Sequence, residues 1–108
     1  NPPRIVDSIF LKEEHRHMKV LIENILFLKA EGSYCKVVTK NKEYVYSINL
    51  KHVIEKINHP HLVRAHRTHL VNIHNVDLIE GNQLIIGKHK IQMSQSYKDD
   101  LLDKLNII

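Results

Sequence analysis

The sequence is poor in the residues that carry much enzymatic and scaffold chemistry. It holds one cysteine, Cys35, no tryptophan, and only three glycines and three prolines in 108 residues. A lone cysteine excludes an intrachain disulfide and a cysteine-rich zinc site, and it fits a reduced, cytoplasmic setting. No Gly-rich phosphate loop, serine nucleophile elbow or paired catalytic carboxylates stand out, so an enzyme is not expected. No apolar run approaches the roughly 20 residues of a membrane span; Glu23, Asn24 and Lys29 interrupt the longest candidate. There is no signal-peptide pattern, internal repeat or low-complexity segment. The expectation is a protein with no cofactor, no membrane partner and no small-molecule substrate.

What is present is ordinary in bulk. Apolar residues make up 43% and charged residues 26%, as in a soluble globular domain with one modest core. Lysine and arginine exceed aspartate and glutamate by 16 to 12. This mild excess favours nucleic acid or an acidic surface as partner without establishing either. Residues 1–108 read as a single domain. The opening Asn1-Pro2-Pro3 lies in a segment, 1–6, that reads as linker. The chain is therefore expected to be a domain excised from a longer protein.

In chain order the pattern is mostly of short strands. Ile9–Leu11 and Met18–Ile22 flank a charged tip, as in a hairpin. Ile25–Ala30 is a compact apolar run of strand length, broken at Glu31-Gly32-Ser33. Tyr34–Thr39 and Tyr44–Ile48 bracket Lys40-Asn41-Lys42-Glu43 as a second hairpin, and alternation makes Tyr44 and Tyr46 core or cross-strand residues. Leu50, Val53, Ile54 and Ile57 then fall at helical spacing, with Asn49 as cap and Pro60 as stop. Val63–Ile73, Val76–Ile79, Leu84–Ile86 and Ile91–Met93 read as further strands. A last helix begins at Ser96-Tyr97-Lys98-Asp99, which has capping-box spacing, and carries Tyr97, Leu101, Leu105 and Ile108 on one face. The fold class is mainly β with two short helices, neither of which has a basic face.

The stretch Leu62–Asn75 concentrates the chemistry. It sets His66, His69, His74, Arg64 and Arg67 among apolar residues, and no acidic residue lies between Leu62 and Val76. Such a cationic, hydrogen-bonding segment suits an anionic partner. The histidines raise a metal hypothesis, but His66 and His69, three apart on one strand, would point to opposite faces, and no cysteine or nearby carboxylate completes a tetrahedron. No metal is expected. Asn72, polar within an apolar run, reads as a backbone tie, and His66 as a support beneath Arg67. An RNA-binding or protein-interaction β module fits the composition as well as a DNA-binding one.

Three segments go further. Ile25-Leu26-Phe27-Leu28-Lys29-Ala30-Glu31-Gly32-Ser33-Tyr34, His66-Arg67-Thr68-His69-Leu70-Val71-Asn72 and Ile91-Gln92-Met93-Ser94-Gln95-Ser96-Tyr97 resemble, in order and spacing, motifs of the LytTR family. This family supplies the DNA-binding output domain of many bacterial response regulators. The middle segment is close to its His-Arg-Ser-x-Leu-Val-Asn signature. The resemblance implies an elongated assembly of small antiparallel sheets whose loops enter successive major grooves. Copies would bind as a homodimer on repeated half-sites in promoter DNA, and a phosphoryl-receiving domain would precede this one.

Carried over residue by residue, the resemblance implies base contacts from Arg67, Gln95, Ser33 and Tyr34. Nearby phosphate contacts would come from Lys36, Thr68, Ser94 and Lys98. Gln95 departs from the family, which often has arginine there; glutamine prefers adenine where arginine prefers guanine. His69 stands where the family commonly has a large apolar or aromatic residue. Each site residue also has a plainer reading: Arg67 as a surface cation, Tyr34 as a cross-strand packing residue, Gln95 as an exposed loop residue.

Overall fold

The computed structural model describes residues 8–57 and 59–108. The expected linker at 1–6 lies outside the described residues. Among the described residues ten strands and two α-helices follow one another: β1 (Ser8–Glu13), β2 (Arg16–Leu21), β3 (Ile25–Glu31), β4 (Tyr34–Thr39), β5 (Glu43–Tyr46), α1 (Leu50–Ile57), β6 (Leu62–His66), β7 (His69–Asn72), β8 (Leu78–Glu80), β9 (Gln83–Ile86), β10 (His89–Gln92) and α2 (Gln95–Asp103). They form three antiparallel sheets: the β1–β2 hairpin, a three-stranded sheet in the order β10-β9-β8, and a central sheet in the order β5-β4-β3-β7-β6. The result is a slab of 45 × 38 × 24 Å.

The central sheet is covered on both faces, and its sequence says so. Ile25, Leu28, Cys35, Val37 and Leu70 face α1 and the β1–β2 hairpin, meeting Leu50, Ile57 and Val20. Phe27, Val38, Val63 and Val71 face the three-stranded sheet and α2, meeting Leu84, Ile86, Ile91 and Leu101. A strand with both faces buried has no polar alternation to show, which is why Ile25–Leu28 reads as an unbroken apolar run. A bulge between Ile25 and Phe27 adds one residue at its start. The Cys35 thiol is fully buried, and burial pushes its pKa up to about 11. It is therefore a small apolar filler and not a nucleophile.

Most sequence expectations hold. Both hairpins form, Asn49 caps α1 by accepting from the His52 amide at 2.8 Å, and Tyr44 and Tyr46 stack on one face at 6.2 Å. Three differ. Val63–Ile73 is not one strand but the hairpin β6–β7, turning at Arg67-Thr68, followed by a short 3₁₀ turn at Ile73–Asn75. The last helix is capped by Ser94, not Ser96: its side chain accepts from the Ser96 amide. That helix ends at Asp103, so Ile108 lies beyond it and is exposed.

Asn72 ties the far end of the sheet together. Its side chain is fully buried, and its amide donates to the carbonyls of Ile22 at 2.8 Å and Ile25 at 2.9 Å. Its oxygen accepts from the His74 amide at 3.0 Å. Removing it breaks three hydrogen bonds. Each carbonyl keeps one other donor, the Ile25 amide for Ile22 and the Asn75 side chain for Ile25, while the His74 amide loses the Asn72 oxygen. Each bond lost costs on the order of 0.5–1.5 kcal/mol. Asn72→Ala is therefore expected to lower stability by roughly 2–4 kcal/mol in urea unfolding; a loss well under 1 kcal/mol would show that these bonds hold nothing.

Candidate nucleic-acid interface

The β6–β7 turn carries Arg67 at its tip. His66 pairs with His69 across the ladder, leaving Arg67 and Thr68 as a two-residue loop. Neither takes a positive φ, so the loop lacks the primed geometry that matches strand twist in such hairpins. The mismatch is absorbed one step earlier. The register shifts between Arg64 and His66, making Ala65 an extra residue in β6, and a bulge of this kind re-aims the chain beyond it. Arg67 is exposed, and its guanidinium has no hydrogen-bond or ion-pair partner among the described residues.

The turn itself is held from below. The Thr68 amide donates to His66 Nδ1 at 3.2 Å, and the Thr68 hydroxyl lies 3.0 Å from both His66 Nδ1 and His69 Nδ1. A nitrogen that accepts from an amide carries no proton, so His66 holds its proton on Nε2. His66 is thus the expected support beneath Arg67. The expectation that His66 and His69 point to opposite faces fails, because the turn between them makes them cross-strand neighbours with ring centroids 5.9 Å apart.

Two backbone hydrogen bonds join this turn to two other loops. The Ala30 amide donates to the Thr68 carbonyl at 2.8 Å, at the end of β3 that leads into the Gly32-Ser33 turn. Gly32 there has φ 58°, which glycine adopts without strain. The Ser94 amide donates to the carbonyl of the bulged Ala65 at 2.8 Å, fixing the start of α2 against β6. The turn at 32–33, the turn at 67–68 and the first residues of α2 therefore lie together at one end of the central sheet.

Each residue proposed from the sequence has a definite place there. Ser33 and Tyr34 are exposed, Tyr34 to 52%. Gln95 is exposed as the first residue of α2. Ser94 uses its hydroxyl oxygen to accept from Ser96, leaving the hydroxyl proton free to donate. Thr68 is half-buried and already engaged by both histidines. Lys98 donates to the Asn82 side chain in the β8–β9 turn, tying α2 to the three-stranded sheet. Lys36 is the most committed, held by Glu43 at 3.3 Å and Glu31 at 3.6 Å. The Glu43 carboxylate, followed by Glu31, pushes the Lys36 pKa up, while Lys29, followed by Lys36, holds the Glu31 carboxyl below its usual range. Lys40, Lys42 and Lys88, which also belong to turns, line a cleft with Asn75 and Asp77 near the opposite end.

Sequence reasoning gave no site role to Lys29, Glu31 or Arg64, though it counted Arg64 among the cations of the central segment. By strand alternation Lys29, Glu31, Tyr34, Lys36 and His69 continue the face of Phe27 and Val38 beyond the point where the three-stranded sheet covers it. Lys29 and Lys36 stand directly opposite each other, a repulsive arrangement in an isolated sheet, and Glu31 bridges them. A signal was available in the alternation of β3 and β4, had the positions of their polar ends been read together. Among the described residues no group of three or more His, Cys, Asp or Glu side chains is arranged to hold a metal.

With this geometry in place the comparisons with known proteins decide the family. The model of the LytTr DNA-binding domain matches residues 15–106. The chain belongs to the LytTR family. A solved LytTr DNA-binding domain from Bacillus cereus, described as part of a methyl-accepting/DNA response regulator, superposes with a TM-score of 0.78 at 18% identity, covering 94% of this chain and 99% of that one. No curated protein matches the chain. The LytTR fold thus accounts for the three small sheets and two helices, and the protein is a DNA-binding domain.

His69 makes a testable feature of the LytTR turn. Burial, then the charges of Lys29 and His66, pushes its pKa down to about 4. Unfolded, the same side chain titrates near 6.5. Between these values the unfolded chain binds a proton that the folded domain does not. Stability should therefore fall as pH drops from about 6.5 towards 4. His69→Phe, which abuts Phe27 in the place of a ring already 6.0 Å away, should flatten that acid limb in urea unfolding at pH 7 and 5. Parallel losses in both proteins would show that His69 is not the group responsible.

Proposed function

We propose that the domain binds double-stranded promoter DNA sequence-specifically, as the output module of a two-component transcriptional regulator. Arg67, Gln95, Ser33 and Tyr34 would contact base edges, and Thr68, Ser94, Lys98 and Lys36 phosphates. Residues 1–108 would act as one DNA-binding unit behind a receiver domain, two copies taking repeated half-sites in the cytoplasm. The single observation that carries this reading is the position of Arg67: exposed on a turn tip, unpaired among the described residues, and on a hairpin joined by backbone hydrogen bonds to the two loops that hold the other proposed base-contact residues. A free guanidinium on a fixed backbone suits bidentate recognition of guanine O6 and N7.

The phosphate contacts differ in what they require. Ser94 has a hydroxyl proton to give and Lys98 has ammonium protons beyond the one on Asn82. Lys36 must exchange Glu31 or Glu43 for a phosphate, an exchange between surface ion pairs that costs little. Lys29 shares this face, and a polyanion would relieve the opposition of Lys29 and Lys36 more fully than Glu31 does. Binding should weaken steeply as salt rises, because each phosphate contact releases counterions.

In-vitro selection of duplex sites with the purified domain tests the reading. A repeated half-site is expected, bound better than single-stranded RNA of the same length; equal binding of RNA, or no enriched sequence, would contradict it. Arg67→Ala should cost about 1–3 kcal/mol in affinity and relax preference at one base pair. A normally folded Arg67→Ala protein with undiminished binding would remove Arg67 from the interface. Gln95→Arg should shift one half-site position from adenine towards guanine, and an unchanged preference at every position would place Gln95 outside the readout.

A further inference from the structure

We propose that Arg64 is a positioning residue that locks the 67–68 turn and the start of α2 into one rigid unit. The inference rests on the DNA-reading role proposed for Arg67 and Gln95, and it names the side chain that keeps those two in register. Arg64 sits half-buried in the edge strand β6, three residues before the turn. Its Nη2 donates to the Arg67 carbonyl at 2.6 Å. Its Cζ lies 5.5 Å from the centre of the Tyr97 ring in α2, within the range of a cation–π contact. One guanidinium therefore touches the backbone beneath one reading residue and the helix that begins with the other.

The rest of its surroundings argues that this is its role. The Arg64 Nε–H is closed off from solvent and meets no acceptor among the described residues, which is a cost without return for the fold. An aliphatic side chain at this place would cover the same strand edge and bury no unmet donor. Among the described residues no carboxylate pairs with the guanidinium either: Asp100, which lines the same cleft, is taken by Lys104 at 3.0 Å. What the arginine does that no aliphatic residue can is reach both the Arg67 carbonyl and the Tyr97 ring with one planar group. The next residue, Ala65, holds α2 through its carbonyl, so the side chain of Arg64 and the backbone of Ala65 grip the same helix in succession. The carbonyl bond also takes up an acceptor on the inner side of a turn whose φ angles do not suit a tight hairpin.

The test compares Arg64→Ala, Arg64→Lys and Tyr97→Leu with the wild-type domain. In the free protein, amide hydrogen exchange at Thr68 and Ser94 should accelerate on the order of tenfold in both Arg64 variants. In Tyr97→Leu, which leaves the guanidinium in place, exchange should rise at Ser94 first. On DNA, Arg64→Ala should reduce the ratio of specific to non-specific affinity by roughly tenfold and leave the salt slope unchanged. Arg64→Lys should not restore it, because an ammonium has no planar fork. A salt slope lowered by about one, with binding restored in Arg64→Lys, would make Arg64 a phosphate contact and overturn the proposal. So would unchanged exchange at both amides. If the wild-type domain selects no duplex sequence, the DNA reading fails by itself, and the exchange data still decide whether Arg64 fixes the turn. Should Arg64→Ala not fold, Arg64→Lys and Tyr97→Leu carry the same comparison.

Discussion

Two backbone hydrogen bonds set the geometry on which the rest depends: Ala30 to Thr68 and Ser94 to Ala65. They join loops that are far apart in sequence without spending any side chain on the joining. The side chains at the loop tips stay available for another molecule, while the backbone beneath them is anchored in the two-faced core. The bulge at Ala65 makes this economy work, because it frees a carbonyl at the sheet edge and turns it towards α2. A regular ladder would offer that edge to solvent or to another strand.

The charges on this face obey the same logic. A pair of facing lysines, Lys29 and Lys36, is unfavourable in a free sheet, and the fold meets the problem with Glu31 and Glu43 at ion-pair distance. These pairs are exposed and therefore weak, so they steady the free protein and yield to a stronger polyanion. The histidines add a second constraint. His66 receives the Thr68 amide on Nδ1, and burial holds the His69 pKa down to about 4, so the His69 imidazole is uncharged at neutral pH. Arg67 offers its positive charge at the tip.

Much of this was legible in the sequence where local chemistry agrees with the fold. Asn49 and Pro60 bound α1, Gly32 marks its turn, and the alternation of β4 and β5 sets Cys35 and Val37 opposite Tyr46 and Tyr44. The turn at Arg67-Thr68 was not legible as a turn, because it contains no glycine, proline or asparagine and sits inside an apolar, β-branched stretch. Its stop signal is tertiary: a bulge, a histidine bridge and a bond from Ala30. The cap of α2 misled for a related reason. Ser96 has the better local spacing to Asp99, but Ala65 takes the Ser94 amide and forces the chain to turn two residues sooner. The family signature contains Arg67, which the fold sets exposed on a turn, whereas Arg64, which lies outside the signature, stands out only through its contacts at Arg67 and Tyr97.

The most direct measurement of the central claim is amide chemical-shift mapping of the domain on titration with its selected duplex. The account predicts that the largest shifts fall together on residues 32–34, 66–69 and 94–97, with residues 40–42, 59–61 and 86–89 unmoved. Shifts centred on the cleft around Lys40, Lys42 and Lys88, or confined to one of the three loops while the other two stay silent, would contradict it.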